Sequence, residues 1–174
     1  MMNSTIIKTV LLAWVVVTMT TACGFHLKGQ RALPKEMQNV FLDYRRGLDV
    51  IQPVIIEEIQ RSLRNRGGVV GRSPYTDATR LQVSHPRYQQ RTQSVDLDGD
   101  TNEIEIVTTV TFGLYSGDGT MLINDTLVAR RDYSFDPADA LAQEEEARRL
   151  RESMGKELAE LLLLRVEAQL SNPR

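Results

Sequence analysis

Seventeen of the 21 cationic residues are arginine, the side chain whose planar guanidinium grips a phosphate through two parallel hydrogen bonds. Arg87 and Arg91 lie at even spacing in a polar, alternating stretch, so in an extended chain they share a face. Arg130 and Arg131 follow in a later stretch of the same kind. Two readings stand for these four: a phosphate-binding patch, or solvated edge charges that deter strand aggregation. Other chemistry is weaker. Asp96, Asp98 and Asp100 imitate the start of a calcium loop, but the glycine comes too early and Val107 stands where the closing glutamate belongs. The run reads as a solvated turn. His26 and His85 are far apart, no serine sits in a nucleophile elbow, and no paired histidines have metal-ligand spacing. The expectation is a protein without catalytic residues, metal or cofactor.

The whole chain sets the frame for these residues. It has 174 residues, 41% apolar and 25% charged, with a net charge of −2 and a single cysteine. That is the balance of one ordinary globular domain. One cysteine excludes an internal disulfide framework and a cysteine zinc cluster. The slight acidity argues against a nucleic-acid partner.

The averages hide a seam near residue 22. A short polar start with Lys8 leads into the apolar run from Val10 to Val17, and Thr18–Ala22 is small and mostly polar. This is the order of a secretory signal peptide, and the run is too short to span a bilayer as a stable anchor. Thr20-Thr21-Ala22-Cys23 resembles the lipobox of bacterial lipoproteins, in which the cysteine is lipidated and becomes the new N-terminus. Gly24 after it resembles lipoproteins sorted to the outer membrane. Each buried methylene of the attached acyl chains adds about 0.8 kcal/mol of anchoring. Residues 1–22 are therefore read as a cleaved lipoprotein signal peptide and residues 23–38 as a lipidated tether. Residues 39–171 then form a single domain. Removing Lys8 leaves 20 basic against 23 acidic side chains in the mature chain.

Its elements follow from periodicity. Val40–Tyr44 reads as a short buried strand. Ile51, Val54, Ile55, Ile59 and Leu63 recur at helical spacing, with Asp49 as cap, Pro53 in the first turn and Gly67-Gly68 as the stop. Arg80–Gln93 is a long, partly exposed strand broken near Pro86. After the turn at 96–100, Glu103–Tyr115 places Ile104, Ile106, Val110, Phe112 and Leu114 on one face. Ser116–Gly119 turns the chain back into Leu122–Phe135, where slipped alternation between Leu127 and Arg131 predicts a bulge. A helix from about Asp139 to Leu170 carries Leu150, Met154, Leu158, Leu161 and Leu162 as its stripe. The order β-α-β-β-β-α predicts an α+β two-layer sandwich, two helices on one face of a four-stranded mixed sheet. The other face, with Glu105, Thr109, Thr111 and Tyr115, must meet water or a partner.

Cys23-Gly24-Phe25-His26-Leu27-Lys28-Gly29 resembles the opening of the lipopolysaccharide-assembly lipoprotein family LptE. Further likeness lies in Val40-Phe41-Leu42, in residues 98–112, and in Phe135-Asp136-Pro137 with Ala140-Leu141-Ala142, before a helix carrying Met154 and Leu158. The resemblance implies the same two-layer fold and a place inside the lumen of the outer-membrane barrel LptD. The implied roles are plug, assembly partner and lipopolysaccharide contact, and the phosphate-patch reading of Arg87, Arg91, Arg130 and Arg131 would serve the last. It implies a non-enzymatic protein, lipid-anchored at Cys23 on the periplasmic side of the outer membrane. The acidic 96–100 turn and Gln143–Glu146 offer no cation for lipid A, which makes the plug the firmer role. The alternatives are a periplasmic lipid- or peptidoglycan-binding lipoprotein without a barrel, and a lipoprotein hydrolase.

Overall fold

The computed structural model describes residues 32–44, 52–71, 77–95, 101–134 and 140–172. The expectations at Cys23, His26, Asp49, the 96–100 turn and Phe135–Pro137 lie outside these residues. Among the described residues the chain runs through α1 (Lys35–Gln38), β1 (Asn39–Tyr44), α2 (Val54–Asn65), β2 (Val69–Gly71) and β3 (Thr79–Val83). It continues through β4 (Arg87–Val95), β5 (Thr101–Tyr115), β6 (Met121–Ser134) and α3 (Ala140–Ser171).

Local chemistry accounts for the ends of α2. Pro53 precedes its first turn, where no intrahelical partner for an N–H is lost. At the other end Gly67 takes φ 83°, the left-handed conformation that side chains resist. Its N–H donates to the Arg64 carbonyl at 3.0 Å, and the Gly68 N–H donates to that of Leu63 at 2.9 Å. This double bond pattern satisfies the last carbonyls and releases the chain into β2.

β1 pairs in parallel with both β2 and β3, as a crossover through α2 requires, and β5 runs antiparallel to β3, β4 and β6. β3 and β4 follow one another along the same edge of β5. Arg80–Val83 pairs with Tyr115–Phe112, and Arg87–Val95 with Thr109–Thr101. Pro86 cannot donate to a ladder, so the strand is cut there. Ser84 spans the gap: its N–H donates to the Thr111 carbonyl at 2.8 Å, and its Oγ accepts from the Thr111 N–H at 2.9 Å.

Both long helices cover one face of the sheet. Val40, Leu42, Leu81, Val83, Ile106, Val110, Phe112 and Leu114 meet Ile55, Ile59 and Leu63 of α2 and Met154, Leu158, Leu162 and Val166 of α3. The two-layer α+β architecture is therefore the expected one, with six strands rather than four among the described residues. The surplus comes from β2, only three residues long, and from the Pro86 cut between β3 and β4. Three details depart from expectation. Leu33 and Met37 are buried in the core, so the folded part begins before the predicted tether boundary at residue 38. The β5–β6 register runs unbroken past Leu127–Arg131, and its one shift falls beside Leu122. Leu161 is 40% exposed rather than part of the buried stripe.

Candidate functional site: the open face of the sheet

Alternation along β5 turns its odd-numbered side chains away from the helices, and pairing extends that face across three strands. One row reads Arg87, Thr109, Val128; the next Gln89, Val107, Arg130; the third Arg91, Glu105, Asp132. Beyond the first row, the Thr111 and Thr126 hydroxyls share a hydrogen bond of 2.9 Å. This face is mostly polar, with Val107 and Val128 among its charged and polar side chains, and neither helix covers it.

Register therefore brings Arg87, Arg91 and Arg130 together on the open face. The first two are about 14 Å apart along β4, four residues at strand rise. Arg130 is two strands away, level with Gln89. All three are exposed. Among the described residues no carboxylate pairs with Arg87 or Arg91, whereas the Arg130 Nε lies 3.7 Å from Glu105 Oε1. Glu103, Glu105 and Asp132 stand toward the far end of the face, so the surface is of mixed charge. Three separated guanidinium groups suit a ligand bearing several spaced anionic groups better than one small anion.

Arg131 does not join them. One residue on, it points to the helix side and is hydrogen-bonded through Nη2 to Glu157 of α3. That pairing also explains the polar residue that breaks the apolar alternation of β6. His85, between β3 and β4, has its Nδ1 2.8 Å from the Tyr44 hydroxyl, a contact joining the end of β1 to the break between β3 and β4. Among the described residues no group of three or more histidine, cysteine, aspartate or glutamate side chains could hold a metal ion. No described helix is long and apolar enough to cross a membrane.

Two features of the face escape sequence reasoning. Arg80 of β3 lies over the Tyr115 ring, 4.4 Å from its centroid, a cation–π contact between register neighbours. Tyr115 in turn lies so close to Gly113 that a Cβ there would come within 2.9 Å of the ring. Both depend on which residue stands beside which across strands, and no local pattern carries that.

The fold is shared with solved proteins. A crystal structure of rare lipoprotein B from Shewanella oneidensis superimposes with a TM-score of 0.65 at 21% identity, covering 77% of this chain and 98% of that one. The solution structure of an uncharacterized lipoprotein B from Nitrosomonas europaea gives 0.68 at 24% identity, over 86% and 94% of the two chains. In sequence, the LPS-assembly lipoprotein LptE of Pectobacterium atrosepticum is 26% identical over 148 residues, 84% of this chain and 78% of its own. The LptE lipopolysaccharide-assembly family model matches residues 37–166, from the buried Met37 through β1 to the buried Val166 of α3. With that span matched, the chain belongs to the LptE family of lipopolysaccharide-assembly lipoproteins.

Proposed function

We propose that the protein acts at the periplasmic side of the outer membrane as a non-enzymatic partner of the LptD barrel. A lipid on Cys23 anchors it, with residues 1–22 removed as signal peptide. Seated in the barrel, it occludes the lumen and supports assembly, and Arg87, Arg91 and Arg130 contact lipopolysaccharide. The observation that carries this reading is the uncovered polar sheet face on a chain of the LptE family. A barrel lumen is polar and wet, so a face of threonine, glutamine and charged side chains suits it, where an apolar face would not. Lipid A presents spaced phosphates, the ligand class that separated arginines serve.

Affinity purification of the lipidated chain from its own envelope tests the partnership. The expected result is co-purification of a large outer-membrane barrel in fixed ratio; isolation of the chain alone overturns it. The lipopolysaccharide contact is tested separately with the R87A/R91A/R130A variant, whose binding is expected to fall at least tenfold. Unchanged binding removes that contact and leaves the barrel partnership standing.

A further inference from the structure

The break at Pro86 changes which side chains share a face. From Val83 to Arg87 the chain advances four residues, while β5 advances three, from Phe112 back to Thr109. Leu81 and Val83 of β3 are in the core, so its even-numbered residues stand on the open face, beside the odd-numbered residues of β4. Arg80, Arg87 and Arg91 thus fall into one line, although strict alternation would set Arg80 opposite the other two. Their partners on β5 fix the spacing. Tyr115 and Thr109 are six residues apart, which at strand rise sets Arg80 about 20 Å from Arg87.

Arg80 is held ready for a ligand. Its guanidinium lies over the Tyr115 ring, and that ring closes over Gly113, where a side chain would collide with it. Stacking fixes the plane of the guanidinium and leaves the N–H groups along its edge to other partners. Among the described residues no carboxylate pairs with it. The way from Arg80 to Arg87 is polar. One row reads Asp43, Gln82, Gly113, Asn124, and the next carries the Thr111 and Thr126 hydroxyls. These groups offer donors and acceptors to hydroxyls. An acyl chain laid over them would take away their water and return no hydrogen bond.

We propose that Arg80 is a fourth anion contact, and that the open face takes an elongated saccharide carrying spaced anionic groups, laid along β3 and β4. The inference rests on the reading above that this face meets lipopolysaccharide, and it assigns recognition to the sugar rather than to the acyl chains. Anionic groups of the saccharide meet the arginines at the two ends of the polar rows. Between them, sugar hydroxyls replace water on Gln82, Asn124, Thr111 and Thr126, and the Asp43 carboxylate accepts from a hydroxyl. A single small anion cannot reach both Arg80 and Arg87, so the face reads the length of its ligand.

Two acyl-free glycans prepared from lipopolysaccharide, titrated against the lipidated chain in detergent, test the proposal. One is the bisphosphorylated disaccharide alone, the other the same disaccharide with its phosphorylated core sugars. The longer glycan is expected to bind about tenfold tighter, the scale of one charge-assisted contact. R80A with native circular dichroism is expected to remove that advantage and to leave the shorter glycan unchanged. Equal affinity of the parent chain for the two glycans overturns the proposal. So does an R80A variant that keeps the advantage, or one that loses both glycans alike. Intact lipopolysaccharide that binds through Arg87, Arg91 and Arg130 while neither glycan binds also overturns it, and leaves the phosphate contact standing.

Discussion

Arg66 and Glu167 join the end of α2 to the last turns of α3, each side chain only 15% exposed. Partial burial weakens screening, and removing one partner leaves the other charge poorly solvated. Arg66→Ala is therefore expected to lower stability by about 1–3 kcal/mol, read as a shift in the urea midpoint at unchanged slope. Arg131 and Glu157 are 42% and 39% exposed, where water screens the pair, so Arg131→Ala should cost less than about 1 kcal/mol. A larger loss from Arg131→Ala than from Arg66→Ala would contradict this ordering. In the turn before β6, the Ser116 hydroxyl holds the Asp118 carboxyl below its ordinary pKa, with help from the Thr120 N–H at 2.9 Å. A carboxylate depressed in the folded state stabilises above its unfolded pKa, and that contribution is lost as pH falls through the folded value. The turn should therefore be insensitive to pH near neutrality and loosen only in acid. Ser116→Ala is expected to raise the Asp118 titration midpoint, measured by carboxyl NMR.

Among the elements, α2 and α3 approach closely at Gly155. A Cβ there would stand 3.4 Å from the Ile55 backbone N and from Val54 Cβ, in tight but ordinary contact. Gly155→Ala should be close to neutral, since a gain in helix propensity of about 1 kcal/mol offsets that contact. Gly155→Leu should destabilise by about 1–3 kcal/mol, because the added branches meet the first turn of α2. Equal melting temperatures for the two variants would refute close packing there. Nothing in the consecutive residues around Gly155 marks this approach. What sequence could show was periodicity. The alternation of β5, the stop at Gly67-Gly68 and the cut at Pro86 were all legible because each is written in consecutive residues. The stripe of α3 was legible only in part. Its buried row, Met154, Leu158, Leu162, Val166, advances four residues at a time and rotates by about 40° per step. Leu161 falls off that row. β2 and α1, three and four residues long, are too short to show any period.

At the scale of the whole domain, the sheet divides the described residues into a side that holds the fold and a side that does not. The open face was legible in outline, since two amphipathic helices can cover only one side of a sheet. That Arg87 and Arg91 share it was legible from their even spacing, but that Arg130 joins them and Arg131 does not depends on the register of β6 across β5. The division makes stability and partnership separable. Ile106 is fully buried on the helix side, and Ile106→Ala should cost about 2–5 kcal/mol through lost burial and the cavity left behind. Thr111 is exposed on the open side, with its hydroxyl bonded only to Thr126 among the described residues. Thr111→Glu should therefore cost less than about 1 kcal/mol, the scale of a cross-strand pair. If the open face meets a barrel, the same substitution adds an unpaired carboxylate at the contact and should cut barrel co-purification severalfold. Melting temperature and barrel yield measured on both variants separate the two sides. A Thr111→Glu chain that melts as the parent does and still brings down the barrel in full yield would move the contact surface off this face, onto the helices or the sheet edges.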